Sequence, residues 1–149
     1  MAKREISLRD RALAMLARRE HTRAEMSRKL SPRCESPGQV EQLLDALAAR
    51  GWLSESRFAE SRAITLARKF GSRKIEHDLR SRGVSAEVVE QTLERSLAQE
   101  LQHCRAAWQR KFGMLPQSAA ERGRQMRFLA GRGFSAEAVR LVLKGLDAD

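Results

Sequence analysis

The residues with the clearest chemistry in this 149-residue sequence are basic, and they fall in three separate blocks. Residues 1–30, 57–82 and 105–132 carry net charges of +5, +5 and +6, and the stretches that follow them carry −2, −3 and −1. Arginine and lysine side chains bind phosphate groups, so this charge favours a polyanionic partner such as nucleic acid. A disordered basic tail would concentrate the charge in one block, so the alternation indicates a folded scaffold.

Candidate binding residues lie in the second and third basic blocks. They are Arg68, Lys69, Arg73, Lys74, Arg80, Arg110, Lys111, Arg124, Arg127 and Arg132. The alternative is that these side chains form surface ion pairs, as Arg73 could with Glu76.

Side chains suited to catalysis or metal binding are sparse. Cys34 and Cys104 are expected to be free thiols, and the adjacent His103 and Cys104 lack a second pair of zinc ligands. The sequence contains neither a GxxxxGK[ST] loop nor a GxSxG elbow. We expect no catalytic residue, no cofactor and no metal, and therefore a binding protein and not an enzyme such as a nuclease.

Composition excludes several broad classes of protein. With 42% hydrophobic and 32% charged residues, the chain can bury a core and is not expected to be disordered. The longest stretch without a charge runs over the nine residues 112–120, too short for a membrane span. No apolar run near the N-terminus is typical of a signal peptide, so we expect a cytoplasmic protein.

Helix signals dominate the elements that must position the basic residues. Thr22 to Glu25, Ser36 to Gln39 and Ser118 to Glu121 each have the spacing of a capping box. Strand signals are weak, since tyrosine is absent and β-branched residues are sparse. His21, just before one such box, is expected to be either a surface residue or a cap residue.

Short sequence motifs recur along the chain. Leu79-x-x-Arg82-Gly83-Val84-Ser85-Ala86-Glu87 returns 50 residues later from Leu129 to Glu137, and a divergent copy with one extra residue runs from Leu47 to Glu55. Arg68-Lys69-Phe70-Gly71 returns 42 residues later as Arg110-Lys111-Phe112-Gly113. The first motif predicts a joint between two helices: glycine ends one helix, an apolar residue fills the corner, and serine caps the next helix.

These repeats predict an all-α fold of three tandem three-helix repeats, forming an elongated, curved superhelix. The repeats are placed at residues 1–53, 54–96 and 97–149. The helices are expected at about 7–20, 22–31, 37–50, 55–70, 72–82, 85–96, 97–112, 119–131 and 135–146. Trp52, Phe70, Phe112 and Phe134, at corners and helix ends, are expected to pack in the core and not to stack on nucleobases.

The order and spacing of these motifs resemble those of the RecX family of bacterial regulatory proteins. The motifs follow in the same order over about residues 8–146. The matching segments are Leu16 to Leu30, Arg50 to Phe58, Phe70 to Leu79, Arg82 to Ser85, Arg110 to Gly113 and Arg127 to Phe134. The family often has tyrosine where this sequence has Trp52, Phe70, Phe112 and Phe134, so hydrogen bonds from those hydroxyls are missing here.

The resemblance implies a monomeric regulator of the RecA recombinase. Members of the family lie in the helical groove of the RecA–DNA filament and inhibit its ATPase, strand exchange and coprotease activities, which restrains recombination and the SOS response. The resemblance also implies binding to single- and double-stranded DNA. A second hypothesis is a stand-alone basic DNA-binding protein with helix–turn–helix-like repeats.

Overall fold

A computed structural model describes residues 5–145, and every regular element in that range is helical. The first unit contains α1 (Leu8–Arg18), α2 (Arg23–Leu30), a 3₁₀ turn (Ser31–Arg33) and α3 (Pro37–Ala49). The second and third units contain α4 (Glu55–Ala67), α5 (Ser72–Ser81), α6 (Ala86–Lys111), α7 (Ala119–Gly131) and α8 (Ala136–Leu143). The predicted fold class, all-α with three tandem repeats, is confirmed.

The prediction of separate helices at 85–96 and 97–112 is wrong, because α6 runs unbroken through both ranges. Its 26 residues contain no glycine or proline, and the stretch from Leu93 to Leu101 is rich in good helix formers. One rigid helix therefore belongs to both the second and the third unit. The last helix was predicted to end at residue 146, which, like residues 1–4, lies outside the described range.

The joints have the predicted local structure. Gly51, Gly83 and Gly133 have φ values of 74°, 81° and 91°, in the left-handed region that favours glycine. The helices that follow begin with the capping serines Ser54, Ser85 and Ser135, whose hydroxyl oxygens accept hydrogen bonds from backbone N–H groups.

The capping boxes are confirmed in part. Thr22 Oγ1 accepts from the N–H of Glu25, and Ser118 Oγ accepts from the N–H of Glu121. Ser36 makes no such bond.

Each unit has its own hydrophobic core. The first is centred on Met26, Leu44 and Leu47, the second on Phe58, Ile75 and Leu79, and the third on Trp108, Leu129 and Phe134. The accessible surface of 9995 Å² exceeds the roughly 7,700 Å² expected for a compact protein of 16.9 kDa. The units therefore form an open array. No helix within residues 5–145 is apolar over a length that could cross a membrane.

Neighbouring units meet through the same type of contact twice. The start of α2 lies on the end of α5, where Thr22 Oγ1 donates to the carbonyl of Arg82 at 3.3 Å. The start of α5 lies on the end of α7, where the N–H of Gly71 donates to the carbonyl of Arg132 at 2.9 Å. The two accepting residues, Arg82 and Arg132, are 50 apart in sequence. The spacing of 50 residues between the repeated motifs therefore also separates the two contacts between units.

Candidate nucleic-acid interface

The contact between the second and third units is fixed by close backbone approach. The N–H of Arg73 donates to the carbonyl of Gly133 at 3.0 Å, beside the bond from Gly71 to Arg132. A Cβ atom on Gly71 would lie 2.5 Å from the Cα of Phe134, and one on Gly133 would lie 2.8 Å from the backbone nitrogen of Lys74. Both positions therefore require glycine. The contact between the two units is centred on the α7–α8 joint at Gly133, and it has a defined geometry.

Five predicted basic residues surround this joint. The set, called the joint cluster below, consists of Lys69, Lys74, Arg110, Lys111 and Arg132. Lys69 follows α4, Lys74 lies in α5, Arg110 and Lys111 end α6, and Arg132 follows α7. Four of the five, with Ala107 and Phe128, line a hollow of about 210 Å³. Four helices thus bring these charges to one place.

Two aromatic rings support the joint cluster. The Arg132 guanidinium carbon lies 5.6 Å from the ring centroid of Phe70 and 5.2 Å from that of Phe128. The Nζ atoms of Lys74 and Lys111 lie 4.8 Å and 5.5 Å from the Phe70 and Phe128 centroids, respectively. The ring faces attract these cations and hold them without neutralising them.

A hydrogen bond links the two copies of the Arg-Lys-Phe-Gly motif across the joint. Arg110 Nη2 donates to the carbonyl of Arg68 at 2.9 Å. The sequence places these two arginines 42 residues apart in equivalent positions, and the fold brings them into contact. Lys69 and Lys111 are the next residues of the two motif copies, and this contact brings both to the lining of the same hollow.

The joint cluster is not neutralised by the surrounding protein. None of its five side chains forms an ion pair with an acidic residue of the described range, residues 5–145. Four are exposed and Arg132 is half-buried. A concave site with several unpaired cations attracts anions, and the guanidinium groups suit phosphate oxygens.

The other predicted site residues have different surroundings. Arg80 forms an ion pair with Glu76 at 2.7 Å, which is the alternative considered for these arginines, although for Arg80 instead of Arg73. Arg68 and Arg73 are exposed beside the joint, and Arg124 lines a separate hollow with Phe112 and Leu115.

Arg127 folds back over its own helix. A Cβ atom on Gly123 would lie 3.1 Å from Arg127 Nη1, so the glycine inside α7 gives this guanidinium room.

Glu100 is a residue of this joint that the sequence reasoning missed. It lies in α6, is 6% exposed, and its Oε1 accepts hydrogen bonds from Ser72 Oγ at 2.8 Å, Ser72 N at 3.3 Å and Ser135 N at 3.1 Å. The N-termini of α5 and α8 therefore share one carboxylate. A glutamate inside a polar helix gives no sequence signal of such a role.

The cysteines behave as isolated thiols in the described residues. Burial, with a smaller effect from the nearby Glu100 carboxylate, raises the pKa of Cys104 to about 12, so this thiol is inert at neutral pH. Cys34 Sγ donates to the carbonyl of Ser31 at 2.9 Å. Within residues 5–145 no group of three or more His, Cys, Asp or Glu side chains is placed to hold a metal ion.

Two positions in the first unit differ from expectation. His21 is buried and the N-cap of α2 is Thr22, so His21 is neither a surface residue nor the cap. It is buried because the start of α2 packs against the second unit. Trp52 was expected in the core, and this is wrong: its side chain is 42% exposed. Phe134 is buried as expected, whereas Phe70 and Phe112 are half-buried.

The fold and the joint cluster define a class of protein, the helical-repeat proteins whose tandem three-helix units carry a basic surface. Profiles for the first, second and third three-helix domains of RecX match residues 9–52, 54–93 and 98–143. The chain belongs to the RecX family.

Relatives match over nearly the whole chain. Regulatory protein RecX of Leptothrix cholodnii is 44% identical over 143 residues, which cover 96% of this chain and 91% of the relative. The RecX of Chromobacterium violaceum is 44% identical over 145 residues, which cover 97% and 94%. The family identity therefore rests on all three units, and it supports a regulatory role.

Solved structures show the same fold at lower sequence identity. The crystal structure of RecX from Lactobacillus salivarius matches with a TM-score of 0.83 at 17% identity, covering 95% of this chain and 96% of that one. A second crystal structure of a regulatory protein RecX matches with a TM-score of 0.73 at 18% identity, covering 92% and 71%.

Proposed function

We propose that this protein is a non-enzymatic regulator that binds the RecA–DNA filament along its helical groove. There it inhibits the ATPase, strand-exchange and coprotease activities of RecA, and so modulates recombination and the SOS response in the bacterial cytoplasm. The observation that carries the proposal is the joint cluster: five cations from four helices, without an acidic partner in the described range.

The arrangement of the units supports binding along an extended partner. The chain acts as a monomer in this proposal, and its open array presents basic blocks at successive positions along one chain. A helical filament offers equivalent sites on successive protomers, so several weak contacts of one chain can be made together. Direct binding to single- and double-stranded DNA then uses the same cations on backbone phosphates.

The decisive measurement is the ATPase activity of RecA on single-stranded DNA as this protein is titrated. Lys69→Glu with Lys111→Glu reverses the charges of the two lysines that occupy equivalent positions in the repeated Arg-Lys-Phe-Gly motif. We expect the concentration for half-inhibition to rise about tenfold or more, since two charged contacts are lost. The matched control, Arg95→Glu with Arg140→Glu, makes the same charge change at exposed positions of α6 and α8 outside the joint cluster.

The outcomes separate the hypotheses. Groove binding requires about one inhibitor for each stretch of protomers it spans, whereas inhibition at far lower ratios would indicate action at filament ends. Tight binding to duplex DNA with no effect on the RecA ATPase would support the stand-alone DNA-binding protein instead. Equal loss of inhibition in both double variants would show that general charge, and not the joint cluster, is responsible.

A further inference from the structure

Trp52 is exposed at a corner where the other units bury their apolar residue. Val84 and Phe134, at the same position after the joint glycine, are 6% and 2% exposed, whereas Trp52 is 42% exposed. The first joint has one extra residue, and Leu53, at 6% exposed, fills the corner instead. The core of the first unit therefore does not need the indole, which faces solvent.

The backbone that carries this indole is held firmly. The N–H of Trp52 donates to the carbonyl of Leu47 at 3.0 Å. Arg57 Nη2 donates to the carbonyl of Gly51 at 2.7 Å and lies 3.4 Å from that of Trp52. The Nε of Arg57 also donates to Glu20 at 2.9 Å. The exposed ring is thus presented from a fixed support, which lowers the entropy cost of binding to it.

Two guanidinium groups lie over the ring. The Cζ atoms of Arg9 and Arg50 lie 5.7 Å and 5.2 Å from the ring centroid. Both arginines are exposed, and neither forms an ion pair with an acidic residue in the part of the chain that the structure describes. A solvent-exposed aromatic ring with two such cations over it is complementary to a nucleotide, because a nucleotide combines a flat base with an anionic phosphate.

We propose that Trp52, Arg9 and Arg50 form a stacking site for an unpaired nucleobase of single-stranded nucleic acid. The base stacks on the indole, and the two guanidinium groups turn from the ring to the flanking phosphates. In a duplex the base faces are covered by neighbouring base pairs, so this site favours single strands. The inference rests on the proposed nucleic-acid binding and adds a site in the first unit, whereas the joint cluster lies between the second and third units.

Tryptophan fluorescence reports directly on this site. The chain has two tryptophans, and Trp108 is buried with its Nε1 donating to Gln125 at 2.8 Å, so Trp52 is the one accessible to a base. We expect an oligo-dT 20-mer to quench the fluorescence of the unmodified protein. The variant Trp52→Phe, which retains Trp108, should show no quenching, and a duplex of equal length should quench the unmodified protein weakly.

Affinity measurements give an independent readout. Trp52→Leu keeps apolar bulk but removes the ring face, and we expect about 5- to 100-fold weaker binding to oligo-dT. Duplex affinity should change less than twofold, and Trp52→Phe should retain most of the single-strand affinity. Ile64→Ala, at another exposed apolar residue, is the matched control and should bind like the unmodified protein.

The failures of the two proposals are distinguishable. If the unmodified protein binds oligo-dT without quenching, or Trp52→Leu binds it normally, the stacking site is wrong and the proposed function stands. If Trp52→Leu keeps its DNA affinity but loses RecA inhibition, the indole contacts protein, which overturns the nucleobase assignment. If the unmodified protein binds no DNA, the DNA part of the proposed function and this inference both fail.

Discussion

Glu100 Oε1 accepts a hydrogen bond from the hydroxyl of Ser72 at 2.8 Å, across the boundary between α6 and α5. The same oxygen lies 3.1 Å from the backbone nitrogen of Ser135, the N-cap of α8. Because α6 is continuous, this carboxylate ties the starts of helices from the second and third units to one rigid element. The geometry of the joint cluster therefore depends on a buried acidic residue that, within residues 5–145, forms no ion pair with the cations of the cluster.

Removing that carboxylate should loosen the joint. Glu100→Ala leaves the N–H groups of the half-buried Ser72 and Ser135 without their acceptor, and we expect the free energy of unfolding to fall by about 2–4 kcal/mol. Glu100→Gln keeps an acceptor oxygen and should cost about 1 kcal/mol. Urea denaturation measures both. Glu94→Ala, exposed on the same helix, should change stability by less than about 0.5 kcal/mol, and an equal loss there would contradict the role of Glu100.

The joint also depends on the absence of a side chain at Gly71. In Gly71→Ala the new Cβ would lie 2.5 Å from Phe134 Cα, so the two backbones must separate, at a cost of about 1–3 kcal/mol. Gly38→Ala is the matched control, since its Cβ would meet nothing within 4 Å in helix α3. That variant should gain about 0.4–1 kcal/mol. Thermal unfolding should thus show opposite shifts, and a stable Gly71→Ala would disprove the tight joint.

His21 makes stability depend on pH in the mildly acidic range. Burial lowers the pKa of His21 below 6.5, and Arg19 and Lys29 add to this, while the Arg19 carbonyl and Glu25 oppose it. Below about pH 6.5 the unfolded chain therefore binds more protons than the folded one, and stability falls as pH decreases. We expect His21→Asn to flatten the profile of unfolding free energy between pH 7 and 5.5. Parallel profiles would exclude His21 as the cause.

Carboxylates produce a separate loss of stability at lower pH. The hydrogen bond from Arg62, opposed by burial, lowers the pKa of Asp78 below 3.8. For Glu25, burial raises the pKa, but the hydrogen bond and charge of Arg19 outweigh it and lower the pKa below 4.5. Both contributions are complete above the unfolded pKa values and are lost as pH falls through the folded ones. The His21 effect can therefore be measured above pH 5.5 without interference.

Local signals in the sequence predicted the fold well, because capping serines and joint glycines act within one turn of the chain. The end of a helix at residue 96 was wrong, since the repeat suggested a boundary where no glycine or proline interrupts α6. The burial of His21 and the role of Glu100 come from contacts between units, which local patterns do not encode. Trp52 was misplaced because the extra residue in its joint shifts the corner position to Leu53.

The candidate site shows the same division. The repeated Arg-Lys-Phe-Gly motif indicated that Lys69 and Lys111 are equivalent. They line the same hollow because α4 packs against α6, which the motif alone does not predict. Arg80 looked equally suitable by spacing, yet Glu76, one turn away, pairs with it. Charge content could be predicted from the sequence, whereas the neutralisation of each charge could not.

We expect the second and third units to bind the filament together. Arg73→Glu with Lys74→Glu alters α5, and Arg124→Glu with Arg127→Glu alters α7. Each pair should weaken inhibition of the RecA ATPase if both helices face the filament. The four-residue variant should lose more than either pair, because tethered contacts raise each other's effective concentration and this advantage disappears when both are removed.

The control for this experiment reverses the opposite charge on a different helix. Glu90→Lys with Glu94→Lys changes two exposed residues of α6, and it should leave inhibition nearly unchanged. An excess of free single-stranded DNA provides a second comparison, since a protein that recognises RecA protomers in register still prefers the filament. If the α5 and α7 variants inhibit normally and the Glu90 and Glu94 reversal abolishes inhibition, the filament binds the surface that carries Glu90 and Glu94, and the joint cluster is not the contact surface.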